Sequence, residues 1–503
     1  MEIFLKGKLF SQQREPISVI NPANGALIDT IPDMVEEDVD LAVATARAAF
    51  PDWARRSQWQ RSGLIEKFLL LVEAEKEDLA RLLSDETGKP MAEAIGETGA
   101  CLLITKGYCE RANHMYGNCL PRGDEVLGNI NDVVFTRREP IGVFGCVIPF
   151  NFPLAMFAHK VIPALVVGNT IVLKPPSDCP LTLLRLVHCL YRAGVPEETV
   201  QVVTGRGSGA AGNYLASHPG LNAISMTGSE KVGTAIYQKA AANLTRVFLE
   251  LGANDAFIVL NDADLDLAVQ EALASRLLFA GQVCCGSKRF LVQRGCLSAF
   301  LEKLEVALHQ VKMGDPKAPD TTMGCLISEK AAREVEEQVA HTIRQGAVCL
   351  YGGHRHGAFF EPTILTGITS EMDVATDMEI FGPVFSVIPV ASPQEAVDIA
   401  NSSRYGLSGA VFSSNVALAL SVAQQLETAT VAINGGTDCR TPELAFGGYK
   451  KSGIGREGIS RTLDEMTQEK NFVMKGVFGV LREHSLDCLL YTSPSPRDAH
   501  ESR

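Results

Sequence analysis

Residues 143–176 read VFGCVIPFNFPLAMFAHKVIPALVVGNTIVLKPP, and their texture decides the fold. A short apolar run, Val143–Ile148, gives way to a helix-length stretch at 154–167 and then to a second apolar run at Thr170–Leu173. Strands buried on both faces carry such unbroken runs, and a helix between two of them builds a right-handed parallel unit. The alternation continues outward. A helix at Leu181–Arg192 precedes a strand at Val200–Val203 and a Gly-rich turn. Strands at Ala223–Met226 and Arg246–Leu249 then flank a helix that starts at Ser229. A second alternating set runs from near Ala256 to about Asn434, with helices at 297–311 and 329–345 and a strand at 429–434. The fold class is therefore α/β, with two parallel-sheet lobes. On the amino-terminal side, 37–50 and 62–84 pattern as helices. The second stops at Gly88-Lys89-Pro90, and a further helical stretch runs to about 115. Asn131–Arg138 alternates as a strand does, and an exposed strand invites pairing with a neighbour.

A chain of 503 residues is long enough for two or three domains, and 46% hydrophobic residues supply their cores. The net charge of −13 disfavours a phosphate backbone, so no nucleic-acid partner is expected. No signal peptide and no apolar run of roughly 18–20 residues is present, which points to a soluble, cytoplasmic protein with no membrane partner. The 13 cysteines show no CxxC spacing, so neither a disulfide scaffold nor a metal site is expected. The end of the chain has a Ser/Pro cluster and no period. Residues 482–503 read as a disordered tail, and Leu489–Arg503 as non-native sequence.

Several short stretches carry chemistry-bearing residues. Phe279-Ala280-Gly281-Gln282-Val283-Cys284-Cys285 offers a thiol after a glycine that permits close backbone approach of a ligand. The same pair also reads as two core cysteines. Glu250 follows an apolar strand. A carboxylate buried there would have a raised pKa and serve as a general base, or it turns to solvent. Asn151 lies in Pro149-Phe150-Asn151-Phe152-Pro153 at the carboxyl end of a parallel strand, where ligands gather and where an amide can meet an oxyanion. Lys174 before Pro175-Pro176 reads either as a ribose or phosphate ligand or as surface charge. Thr227-Gly228-Ser229 opens a helix, either as an anion site or as a plain cap. Gly205-Arg206-Gly207-Ser208-Gly209 is a weaker Gly-rich turn. Glu379-Ile380-Phe381-Gly382-Pro383 pairs a hydroxyl acceptor with a ring, and a Gly-rich loop runs from Phe446 to Glu457.

In this order and spacing the set resembles the aldehyde dehydrogenase superfamily over roughly residues 5–480, closest to its lactaldehyde and phosphonoacetaldehyde branch. The resemblance implies two Rossmann-like lobes and a bridging oligomerisation arm. The cofactor lobe would span 1–120 and 140–249, the catalytic lobe 250–445, and the arm 121–139 and 446–481. It implies that Cys284 attacks the aldehyde and that Asn151 and the Cys284 N–H hold the oxyanion. Hydride would leave to NAD or NADP, and Glu250 would activate water to hydrolyse the thioester. Lys174, Glu379, Ser229, Phe381, Pro149, Phe150 and Gly207 would hold or line the cofactor. Ser177 stands where NAD-preferring relatives often place a glutamate. That admits NADP, and the adjacent Asp178 tips the expectation narrowly to NAD. A homodimer or homotetramer is implied.

Because relatives that form acyl-CoA tend to lack the glutamate, Glu250 implies a free acid. The alternatives are an acyl-CoA-forming or reductive semialdehyde enzyme of the same fold, or a silent structural relative. Ala253 replaces the usual second glycine after Leu251-Gly252 and would restrict the backbone if its φ were positive. Around the substrate, Lys106, His159 and Arg440 would line a positively biased mouth for a short hydroxylated or anionic aldehyde. Each also reads as structural: a solvated helix charge, a buried histidine and a loop surface residue.

Overall fold

The structure, a computed structural model, describes residues 3–5, 8–10, 12–121, 123, 126–127 and 129–478. The tail at 482–503 lies outside the described residues. Among the described residues no helix is long and apolar enough to cross a membrane.

The chain divides into two compact units, the first comprising 1–113 and 141–466. It holds two parallel sheets. The first contains β1 (Val143–Val147), β2 (Thr170–Lys174), β3 (Val200–Val202), β4 (Ala223–Thr227) and β5 (Arg246–Glu250). The second contains β6 (Ala256–Val259), β7 (Arg289–Gln293), β8 (Val348–Tyr351), β9 (Thr363–Thr366), β10 (Val384–Val390), β11 (Ser408–Phe412) and β12 (Thr430–Ile433). A short strand, β13 (Gly453–Ile454), then returns to the first sheet, antiparallel to β5. The orders are β13-β5-β4-β1-β2-β3 and β8-β9-β10-β7-β6-β11-β12, and β8 is the sole antiparallel member of the second sheet. The apolar runs are buried as their composition requires. Every residue of β2 and β11 is buried, and Phe257 packs on Phe290 and Phe412 with centroids 5.1 and 4.5 Å apart.

The first sheet's order places its switch point between β1 and β4, so the loops after those strands, 148–152 and 228–229, border one crevice. Glu250 ends β5, opposite Thr227 and Gly453. Six residues later the chain enters β6. The carboxyl ends of the first sheet therefore lie next to the amino ends of the second. Helix α1 (Met91–Ala112) packs against α2 (Pro153–Val166), which is buried almost all round. The second turn of α2 carries His159 and Lys160 into the interior.

One boundary departs from the sequence reading. The helix expected over 62–84 is two, Gln58–Ala74 and Lys76–Thr87. They break at Glu75, whose carboxylate is drawn to Arg185 and Arg192. Of the stretch expected as an arm over 446–481, residues 446–466 belong to the first unit, where β13 pairs with β5. The second unit comprises 114–140 and the chain from 467, and within it Val133–Pro140 pairs antiparallel with Thr467–Met474.

Candidate active site

A cavity of about 280 Å³ opens where the two sheets meet, and Asn151, Phe152, Glu250, Cys284 and Arg440 are among the side chains that line it. The loop that delivers Cys284 is strained. Phe279 (φ 46°, ψ 47°), Ala280 (φ 49°, ψ 36°) and Gly281 (φ 79°) are three consecutive left-handed residues. For the two that carry a Cβ this costs roughly 1–2 kcal/mol each. The surroundings enforce it. Phe279 N–H donates to Glu93 Oε2 at 2.9 Å, and Gln282 Nε2 donates back to Phe279 O at 3.1 Å. Gly281 lies so close to Gly382 that a Cβ would sit 2.3 Å from its carbonyl oxygen. Glycine here serves backbone against backbone, not a ligand.

The cysteine pair divides its readings. Both thiols line the cavity, but Cys285 is buried in an apolar cluster with Ala253, Val283, Leu407 and Phe446, while Cys284 packs at the edge of that cluster and is partly exposed. The adjacent Cys285 thiol, together with burial, pushes the Cys284 thiol up, and Lys288 and Arg440 oppose that rise. Glu250 is 4% exposed, and its Oε1 has no hydrogen-bond partner. Burial, reinforced by Cys284, raises its carboxyl well above the usual range. An unpartnered buried carboxyl facing a cavity is costly, which is the signature of a group held for proton transfer. Asn151 is fixed at three points. Its Nδ2 donates to Gln282 O at 3.0 Å, its Oδ1 accepts from Phe152 N at 3.1 Å, and its own carbonyl accepts from Lys89 Nζ at 2.9 Å. An amide nitrogen has two hydrogens, so one stays available to an oxyanion.

Behind these residues lies a buried ionic cluster. Glu457 takes Lys160 Nζ at 2.6 Å and Arg440 at 2.6 Å. Burial opposes the Glu457 charge, yet the two cations hold its carboxyl far below the usual range. Burial, helped by Arg440, lowers His159 to about 3, so its ring is neutral, and Nδ1 shares a 2.9 Å hydrogen bond with the Tyr108 hydroxyl. His159 and Arg440 both line the cavity, as does Asp438. Lys106 does not. Ala100, Leu103 and Ile104 form the face of α1 turned to the cavity, whereas Lys106 is 67% exposed and pairs with Glu110 at 3.8 Å. Its reading as a solvated helix charge is the correct one.

A second, open cavity of about 690 Å³ is lined by Phe150, Asp178, Gln282, Ser328, Glu379 and Phe381 among others. The rings of Phe150 and Phe381 meet edge to face at 6.2 Å. Glu379 reaches the backbone between the lobes. Its Oε1 accepts from Ala253 N at 3.3 Å, and a Cβ on Gly252 would meet its Oε2 at 2.6 Å. Ala253 is not in the left-handed region, so its methyl adds no backbone strain. Burial lowers Lys174 to about 8 against the pull of Asp178 and Asp33, and its Nζ donates to Pro175 O at 2.9 Å. Pro149, Ser177, Gly207 and Ser229 do not line this cavity. Ser229 caps its helix by accepting from Val232 N at 3.4 Å, and Gly207 is exposed in the loop beside the Arg206–Asp33 ion pair.

The sequence reading missed Lys160, Glu457, Lys89 and Lys288. Lys160 left a trace as a cation inside an otherwise apolar helix. The others gather from separate stretches with no local sign.

The family model described as "Aldehyde dehydrogenase family" matches residues 9–472. The 3-sulfolactaldehyde dehydrogenase of Pseudomonas putida is 38% identical, over 92% of this chain and 94% of that protein. The NADP(+) succinate-semialdehyde dehydrogenase of Escherichia coli is 37% identical, over 91% and 94%. Among solved structures, an NADP-dependent glyceraldehyde-3-phosphate dehydrogenase from Bacillus halodurans complexed with NADP superposes with a TM-score of 0.91 at 35% identity. It covers 94% of this chain and 99% of that one. A betaine aldehyde dehydrogenase from Staphylococcus aureus in complex with NAD+ gives 0.90 at 31%, covering 94% and 97%.

Proposed function

This chain belongs to the aldehyde dehydrogenase family and is an NAD(P)-dependent oxidoreductase acting on aldehydes, a premise from which we propose how its residues divide the work and which aldehyde they suit. Cys284 is the nucleophile. Its sulfur, once its proton has passed to water, bonds to the carbonyl carbon as the C=O π pair moves onto oxygen, and the new oxyanion lies between the free Asn151 hydrogen and the Cys284 N–H. Glu379 holds one cofactor ribose from the lining of the open cleft, which Phe150 and Phe381 frame, while Lys174, Pro149, Ser177, Gly207 and Ser229, which do not line it, receive the rest of the cofactor. The cofactor fits this cleft because Gly252 leaves room for Glu379 to stand between the lobes; when bound, it accepts the hydride. Glu250 then takes a proton from water as the water adds to the thioester, the C–S bond breaks, and a free acid leaves.

The substrate is a short polar or anionic aldehyde. The observation that carries this is the buried cluster of two cations, Lys160 and Arg440, around the single carboxylate Glu457, beside a neutral His159. Of that cluster only Arg440 lines the cavity, with Lys160 and Glu457 behind it, so the wall carries one cation, tempered by Asp438, whose carboxyl burial pushes toward the neutral form. The relatives support it, being named for 3-sulfolactaldehyde, succinate semialdehyde and glutarate semialdehyde. NAD is preferred over NADP because Asp178 puts a carboxylate near Lys174, where a 2′-phosphate would be repelled, while Asp33 is already paired with Arg206. The strand pair of the second unit, with Phe135, Val473 and Met474 exposed, is the arm that joins a homodimer or homotetramer.

A panel of neutral and anionic aldehydes with both cofactors, read by nicotinamide absorbance, tests this reading. Arg440→Ala is expected to raise KM for an anionic aldehyde at least about tenfold more than for a neutral one of equal length, as loss of about one charge-assisted contact implies. Equal effects on both sink the anionic reading, and an absolute requirement for coenzyme A sinks the free acid.

A further inference from the structure

Lys288 is 3% exposed and takes no part in the chemistry described above, yet it stands at the centre of the nucleophile loop. Its Nζ donates to Val283 O at 3.1 Å, Cys284 O at 2.5 Å and Gly286 O at 3.3 Å, and it lies 3.3 Å from Glu379 Oε1. Three hydrogens serve three carbonyls, so the Glu379 contact is purely ionic. The loop is thus wrapped around an ammonium.

That wrapping has a directional consequence. In a trans peptide the C=O and N–H of one unit point in opposite directions, and the described residues contain no cis bond. The Val283 carbonyl shares its peptide with the Cys284 N–H, and turning the carbonyl onto Lys288 turns that N–H away from it. The same geometry is visible one turn on. The Gly286 carbonyl faces Lys288, while its peptide partner, the Ser287 N–H, points elsewhere and donates to Ser275 Oγ at 3.0 Å. The preceding carbonyl, of Gln282, is engaged by Asn151 Nδ2. Successive carbonyls of the loop are therefore held by Asn151 and by Lys288.

We infer that Lys288 is a positioning residue that aims the Cys284 N–H into the cavity as an oxyanion donor and ties that aim, through Glu379, to the cofactor cleft. The inference rests on Cys284 being the nucleophile. Without Lys288 the Cys284 carbonyl loses its donor and the Val283 carbonyl keeps only the Gly286 N–H at 3.3 Å, so the peptide is held at one point fewer and is freer to rotate. Glu379 also loses the cation that steadies it between Ala253 N and the cleft. Both tetrahedral steps, acylation and hydrolysis, pass through the same oxyanion, so both slow together.

The test is Lys288→Met, which keeps the stem's bulk and removes the donors. Loss of one oxyanion donor lowers rates about 10²–10³-fold, and mis-aiming one is expected to lower the burst and steady-state rates about 10–10²-fold. KM for the aldehyde should stay within about twofold, because neutral binding is untouched. A packing role alone would not move a second readout, the pH profile of Cys284 alkylation by iodoacetamide in the unliganded enzyme. Cys285, Glu250, Lys288 and Arg440 are the titratable and charged groups that face this thiol, and removing the ammonium should move its midpoint to higher pH. Should the Met variant lose its fold, Lys288→Gln, which keeps two N–H donors but no charge, is read in the same assays. A folded variant with an unchanged burst rate and an unmoved alkylation profile overturns the inference. Cys284→Ala separates the two failures. If it retains activity, the nucleophile assignment is wrong; if it is dead while the Lys288 variants are unaffected, only the role of Lys288 is.

Discussion

Replacing Glu250 with glutamine isolates the hydrolytic half of the reaction. The side chain is isosteric, and Oε1 has no partner to lose, so the fold should tolerate the change. What disappears is the ability to take a proton. General-base catalysis contributes typically about 10²–10⁴-fold, equivalent to about 3–5 kcal/mol of barrier. Steady-state turnover should fall by that factor. A rapid-mixing experiment should still show a burst of about one reduced nicotinamide per Cys284, because sulfur addition and hydride transfer come first. The pH dependence has a definite sign. The Glu250 carboxyl is raised in the folded protein by burial and by Cys284. Hydrolysis therefore needs the ionised form and rises about tenfold per pH unit up to that raised value. The glutamine variant should be flat over the same range. A variant whose turnover stays within tenfold of the original, or whose burst falls in step with its turnover, would refute the assignment of Glu250 to hydrolysis.

Three further outcomes follow from the same geometry. Asn151→Ala removes one oxyanion donor while the Cys284 N–H remains, so the burst rate should drop about 10²–10³-fold in stopped flow with cofactor Kd unchanged. An unaffected burst would remove Asn151 from the oxyanion site. Gly252→Ala puts a Cβ 2.6 Å from Glu379 Oε2; fluorescence titration should show cofactor binding weakened several-fold, and unaltered binding would mean that Glu379 does not hold the ribose. Burial raises Glu93 from 4.5 to about 7, so it contributes stability below pH 4.5 that is lost as pH climbs toward 7. In denaturant melts Glu93→Gln should gain on the original protein over that window by at most about 3 kcal/mol, and a pH-independent difference would contradict the buried-acid account.

Much of this site is legible in the chain because chemistry at parallel sheets lies at strand ends. Asn151, Lys174 and Glu250 each follow an apolar run, and the run marks the end of the strand that presents them. Cys284 is legible through its glycine, although that glycine works against the Gly382 backbone. The residues that escaped notice act across long separations. Glu457 meets Lys160 from 297 positions away, and Lys89 reaches the Asn151 carbonyl across 62. No local pattern encodes such contacts. Lys106 is not legible from its charge alone, because helical phase decides its side: Ala100, Leu103 and Ile104 take the inner face and leave it outside. The pairing of β13 is not legible either, because only two residues anchor the preceding loop to the first sheet.

The most direct measurement is to find where the acyl group sits. Glu250→Gln enzyme given aldehyde and cofactor, quenched in acid and digested with trypsin, should yield the peptide Leu277–Lys288 carrying the acyl mass, and fragmentation should place it on Cys284. An acyl group on Cys285, or a burst of reduced cofactor with no acylated peptide at all, would contradict the account.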